Sequence, residues 1–158
     1  MTHVRISTTH IVSAPTALVL RILRWLEAVP YWLLALPLRL AAATVFWNSA
    51  MVKLANWDTT LYLFAQEYQV PILPPAVAAS MALAIEVTCP PLLMLGLLTR
   101  PAAAVLLGMT AVIQVFVFPG AWPTHIQWAA MLLVLLCRGA GTLSLDYLLW
   151  RRLRSKPA

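Results

Sequence analysis

The sequence predicts an all-α integral membrane protein: an antiparallel four-helix transmembrane bundle with short interfacial amphipathic helices and both termini in the cytoplasm. Three observations lead there. The chain is 62% hydrophobic and 10% charged, with a mean hydropathy of +0.84, whereas about a quarter of the residues of a soluble domain are charged. Four apolar runs, at about 31–54, 75–98, 101–118 and 122–138, approach the roughly 20 residues with which an α-helix crosses a bilayer. The basic residues also sort to one side of these runs. Arg5, Arg21, Arg24, Arg100, Arg138, Arg151, Arg152, Arg154 and Lys156 share one side, against Lys53 on the other, and the crowded side is cytoplasmic by the positive-inside rule.

Taken in order, residues 1–30 are a cytoplasmic tail and an interfacial helix. The first 13 residues are polar and lack the apolar core and small-residue cleavage site of a signal peptide. From Pro15 the pattern turns helical, with Leu18, Ile22, Trp25, Leu26 and Val29 on one face and Arg21, Arg24 and Glu27 on the other. Three charges suit a helix lying in the membrane interface. Residues 31–150 form the four-helix domain. Pro30 stops the first helix, and the first span then runs to Leu54. Asp58 is placed to cap a short helix reaching Tyr68, after which Val70-Pro71-Ile72-Leu73-Pro74-Pro75 turns the chain back.

The second span carries Glu86, Cys89 and the Pro90-Pro91 pair, which removes two backbone donors and frees the carbonyls of Glu86 and Val87. Thr99-Arg100-Pro101 reverses the chain into the third span, and Pro119-Gly120-Ala121-Trp122-Pro123 turns it into the fourth. The apolar part of that fourth run, from Thr124 to Cys137, is short at about 1.5 Å per residue for a hydrocarbon core of roughly 30 Å. Either it extends into the turn or the protein is locally thin. Arg138-Gly139-Ala140-Gly141 then breaks the helix, Ser144 caps a last interfacial helix through Trp150, and 151–158 is a basic cytoplasmic tail.

The net charge of +6 rests on 11 basic and 5 acidic side chains. With no basic, aromatic-interleaved patch, that excess points to headgroups and topology, not to nucleic acid. Cys89 and Cys137 form no C-x-x-C pair, and His3, His10 and His125 have no ligand spacing, so no metal site is assigned.

Two polar groups stand out in the apolar background. Arg39 and Glu86 form a candidate intramembrane pair: from the cytoplasmic ends they lie roughly 9 to 12 Å and roughly 18 Å deep, a gap an arginine can largely bridge. That pair either holds a ligand, a proton or a headgroup, or clamps the first span to the second. The other group, Asn48, Ser49, Lys53, Gln114, His125 and Trp128 with Cys89 beside Glu86, is a candidate pocket in the outer half. Interhelical bonding by such amides and hydroxyls is its plainer alternative.

Three blocks carry a resemblance: Val45 through Leu54, Glu86 through Arg100 with its Gly96-Leu97-Leu98-Thr99-Arg100 turn, and Gly139-Ala140-Gly141-Thr142-Leu143-Ser144-Leu145-Asp146. Over roughly Leu38 to Leu149 the chain resembles the DoxX family of small four-span bacterial membrane proteins. Ala50 stands where the family often has Gly. The resemblance implies a multi-pass protein of the bacterial inner membrane and an accessory subunit of a redox system, quinone- or thiol-linked, that anchors a protein partner. It singles out Arg39, Lys53, Glu86 and Arg100, and it supplies no catalytic set. No cysteine cluster or Gly-rich loop is present to bind haem, flavin or iron–sulfur. Any electrons must therefore come from a partner or a diffusible quinone, and a quinone-sized cleft is the site expected. The alternatives are a small transporter or copper-homeostasis component, oligomeric through Ala78, Ala79 and Ala82, and a purely structural scaffold.

Overall fold

The computed structural model describes residues 14–154. The expected tail over 1–13 and the last four residues of the basic tail lie outside that range. The chain divides into two units, 1–30 and 31–158. In the first, helix α1 spans Ala14–Glu27.

The second unit contains the four candidate spans. Helix α2 runs over Tyr31–Ala55, α3 over Trp57–Leu63 with a π-helical turn at Phe64–Tyr68, and α4 over Pro75–Leu95. Helix α5 spans Thr99–Val112 and ends in a second π turn, Ile113–Val117. A 3-10 turn at Pro119–Ala121 leads into α6, Trp122–Arg138, and α7 covers Leu145–Arg154. Helix α2 packs along α4, α4 on α5, α5 on α6, and α6 returns to α2. Alanines permit this close approach: Ala35, Ala42, Ala43, Ala50, Ala79, Ala102 and Ala103 are all buried, with Phe46, Leu93, Leu106, Leu132 and Leu135 between them. Large apolar side chains such as Leu33, Leu40, Val52, Val105 and Leu133 remain exposed, as lipid-facing positions must be.

Several boundaries move from their expected places. The second span ends at Leu95 instead of Leu98, because Gly96 adopts a left-handed φ of 65° and closes the helix. Leu97 N–H reaches Leu92 O at 2.9 Å and Gly96 N–H reaches Leu93 O at 3.1 Å, a Schellman closure. The fourth span gains its 3-10 turn and reaches 20 residues, Pro119–Arg138, so it does extend into the turn. Asp58 does not cap α3. Asn56 holds the cap position without a side-chain bond, and Asp58 sits in the first turn, where its charge still meets the positive helix end. Ser144 does cap α7, its Oγ accepting from Tyr147 N–H at 3.2 Å. Ala78 and Ala79, expected on an oligomer face, are buried instead against Phe64 within the chain.

Gly96 is where the backbone leaves least room. A Cβ there would stand 2.6 Å from both Arg39 Nη1 and Ser144 Cβ, on a backbone that L residues avoid. Gly108, inside α5, has nothing within 4 Å. Gly96→Ala should therefore lower the unfolding free energy in bicelles by about 2 kcal/mol or more, the left-handed strain alone being about 1–2. Gly108→Ala should be neutral or gain up to about 1 kcal/mol. Equal effects of the two substitutions would contradict the tight junction at Gly96.

Candidate functional site

Sequence spacing decides which polar groups share a level of the bundle. Arg39 and Lys53 are 14 positions apart on α2, about 21 Å at 1.5 Å per residue. Each therefore works in a separate polar layer.

In the first layer Arg39 is 3% exposed and forms no salt bridge among the described residues. Its Nη1 donates to Ala140 O and Leu143 O, both at 2.9 Å, and Nη2 donates to Met94 O at 3.3 Å. The last is a carbonyl at the C-terminal end of α4, where a cation is favoured. Asp146 completes the junction. Its two carboxylate oxygens accept the N–H groups of Leu98 at 2.8 Å and Thr99 at 3.0 Å, at the start of α5, and its own N–H donates to Gly96 O at 2.9 Å. Arg100 lies outside this knot, exposed, with Nη2 donating to Cys137 O at 3.3 Å. Among the described residues only the Arg39 Nε and the Thr99 hydroxyl of this layer lack a hydrogen-bond partner; the other contacts tie the chain to itself, so the geometry is that of a clamp.

The second layer joins Glu86 to Lys53, not to Arg39. Lys53 Nζ donates to Glu86 Oε1 at 2.9 Å and stands 2.8 Å from Oε2, while also donating to Ser49 Oγ at 2.8 Å. The expected Arg39–Glu86 pair fails for a geometric reason. Arg39 binds at the level of Met94, eight residues and about 12 Å along α4 from Glu86, and that is beyond one side chain. Glu86 is 1% exposed, and its Oε2 accepts no hydrogen bond among the described residues.

The ion pair borders a cavity of about 430 Å³. Ser49, Lys53, Glu86, His125 and Trp128 of the predicted residues line it. Asn48 is exposed on α2, and Cys89 is buried in the helix core, one turn beyond Glu86. Gln114 stands behind the wall, where its Oε1 meets His125 Nδ1 at 2.7 Å and its Nε2 donates to Pro119 O at 2.7 Å. His125 is thus held on both sides, by Gln114 and by Trp128, whose ring centroid lies 5.0 Å away.

The remaining walls are apolar, with an aromatic cluster set among aliphatic side chains. Phe46 meets Trp128 edge-on at 5.7 Å, while Phe64, Tyr68 and Phe118 form a chain of T-shaped contacts at 5.0 and 5.4 Å. The two π turns matter here, since Phe64 and Tyr68 come from one and Ile113 and Val117 from the other. Such turns re-aim side chains that a regular helix would send elsewhere. Burial pushes the Tyr68 phenol above its ordinary range, and the carboxylates of Glu67 and Glu86 push it the same way, so the hydroxyl stays a neutral donor at physiological pH. Phe64, Tyr68 and Phe118 were not among the residues singled out from the sequence. The only signal was the shared face of Phe64 and Tyr68 on the short helix.

A protein-family model described as DoxX matches residues 34–119, more than half of the chain. The chain belongs to the DoxX family. No curated protein and no solved structure matches it. The DoxX match contains Arg39, Lys53, Glu86 and Arg100, and the geometry divides them: Lys53 and Glu86 face the cavity, Arg39 holds the junction, and Arg100 is at the far surface. The Gly96–Arg100 turn, inside the DoxX match, and the Gly139–Asp146 segment, beyond it, meet each other through Asp146 and share Arg39. Among the described residues, no three His, Cys, Asp or Glu side chains gather in a position to hold a metal ion.

A double-mutant cycle separates the two layers. Lys53→Met or Glu86→Gln leaves the partner poorly matched in low dielectric, where removing one member of a buried pair costs about 3–5 kcal/mol. The Lys53→Met, Glu86→Gln double variant should recover part of that loss, with a coupling above about 1 kcal/mol. Arg39→Met and Glu86→Gln should add to within about 0.5 kcal/mol. Unfolding of the three single and two double variants in detergent measures both, and the reverse pattern would reinstate the Arg39 pair.

Proposed function

We propose that this DoxX-family membrane protein is an accessory subunit of a redox system in the bacterial inner membrane. In this reading it anchors an oxidoreductase partner and offers a cleft that receives a quinone. The single observation that supports it most is the Lys53–Glu86 ion pair at the edge of an aromatic cavity of about 430 Å³. Ligand pockets are mostly apolar with a few placed polar groups. A flat ring fits between Phe46, Phe64 and Trp128, with its carbonyl oxygen accepting from Lys53 or Tyr68. Glu86, held by the Lys53 ammonium and bordering the cavity, suits the hydroxyl of the reduced form. The chain itself then binds and orients, and the partner's redox group supplies the electrons.

The test is binding of a short-chain ubiquinone or menaquinone analogue to the protein in nanodiscs, read by quenching of tryptophan fluorescence. Lys53→Met and Tyr68→Phe should each weaken it about fivefold to tenfold, one hydrogen bond of about 1–1.5 kcal/mol each. Arg39→Lys should leave it unchanged. Wild-type protein that binds no analogue would remove the quinone from this reading.

Orientation belongs to the same proposal. With four antiparallel spans and both termini cytoplasmic, the Lys53 end of the bundle faces outward and the arginine-rich end inward. Cysteines introduced between Asn56 and Val70 should react with impermeant thiol reagents in intact cells, and cysteines after Arg151 should react only after permeabilisation. The opposite labelling would invert the topology.

A further inference from the structure

A second concavity lies away from the aromatic cavity, at the end of the bundle where α5 begins and α6 ends. It is a groove of about 870 Å³ with Arg100 and Arg138 on one wall and Arg151 and Arg154 of α7 on the other. The sole acid in its lining is Asp146, and both of that carboxylate's oxygens already accept the N–H groups of Leu98 and Thr99. Four arginines against one acid leave the groove three positive charges in excess. Among the described residues none of the four forms a salt bridge. Three of them have neutral partners: Arg100 donates to Cys137 O, Arg138 lies 4.9 Å over the Tyr31 ring, and Arg154 lies 5.8 Å over Trp150. Thr99, in the same lining, has a buried hydroxyl without a hydrogen-bond partner.

The rim is apolar. Trp150, Leu149 and Leu153 on α7 are exposed by 63%, 49% and 68%. A helix with arginines beside exposed leucines and a tryptophan is built for the headgroup boundary of a membrane. Basic pockets between spans at that depth attract phosphate headgroups. We infer that this groove binds the phosphate headgroup of an anionic phospholipid, with the acyl chains running along the leucines of α7. Arginine suits the task because its planar fork donates two parallel bonds to a phosphate. The site depends on the membrane location of the chain and not on the quinone reading, so either can fail alone.

The experiment uses the full chain in detergent, with phosphatidylglycerol titrated in and bound lipid counted by native mass spectrometry, phosphatidylcholine serving as the uncharged reference. Arg151→Gln with Arg154→Gln should weaken phosphatidylglycerol binding roughly 25-fold, about fivefold per arginine, while leaving the melting temperature in phosphatidylcholine unchanged. Arg21→Gln with Arg24→Gln removes the same charge outside the groove and should change binding less than twofold. Equal losses in the two double variants would mean general attraction to a cationic protein and would overturn the site. So would lipid-free protein that gains as large a thermal shift from inorganic phosphate as from phosphatidylglycerol, which would mark a site for free anions. Displacement of the lipid by an acidic peptide at matched ionic strength would make the groove a protein-docking surface, and would overturn the lipid assignment as well.

Discussion

Glu86 must be neutralised inside a bundle whose outer surface is lipid, and Lys53 reaches it across the contact between α2 and α4. A carboxylate there without a cation would cost several kcal/mol. The pairing fixes the relative height of the two helices, because Lys53 lies near the end of α2 and Glu86 near the middle of α4. It also accounts for the cavity. Ser49 and the ammonium occupy the space between helices that alanines close elsewhere, as at Ala42, Ala43 and Ala79. The core is close-packed between the ion pair and Arg39, around Ala42, Ala43 and Leu93, and the cavity opens beside the ion pair.

The second constraint is at the other polar layer, where a buried cation forms no salt bridge among the described residues and feels the Asp146 carboxylate only at longer range. Arg39 is satisfied by three carbonyl oxygens, one at the end of α4 and two in the segment before α7. Those carbonyls are free because helices end there, Gly96 stopping α4 and Gly139 and Gly141, both at positive φ, breaking the chain after α6. Backbone irregularity and a buried guanidinium solve each other's problem, since neither could remain in a membrane alone. Asp146 does the same for the unsatisfied N–H groups at the start of α5. One layer directs most of its polar atoms to internal bonds, only the Arg39 Nε and the Thr99 hydroxyl lacking a partner among the described residues. The other keeps Lys53, Tyr68 and Glu86 Oε2 at the edge of a space that a ligand can enter.

This division gives the family motif a physical content. The Gly-Leu-x-Thr-Arg turn needs glycine because Arg39 Nη1 and Ser144 Cβ press against the position a Cβ would take. The Gly-x-Gly and Ser-Leu-Asp segment provides the carbonyls, the cap and the carboxylate that bind that turn. Fold maintenance thus explains the Gly96–Arg100 turn of the family match and the Gly139–Asp146 segment beyond it, while the Val45–Leu54 stretch contributes Ser49 and Lys53 to the cleft.

Hydropathy and charge bias determined the class, the four spans and the arginine-rich end, because a bilayer acts on each segment separately and its demand can be read locally. The Ser144 cap and the break at Gly139 were legible from local residue types as well. Which cation meets Glu86 was not. Depth counted from assumed span ends put Arg39 within reach, and the closure at Gly96, three residues early, together with the carbonyls of Met94, Ala140 and Leu143, drew that arginine to the other layer. The aromatic walls were hidden too. Phe64, Tyr68 and Phe118 meet only because a π turn shifts the register of the short helix and α4 and α5 close beneath it. Residues that bond or stack across helices are selected by rotation and height, quantities that no single segment encodes and that the packing of all four helices decides.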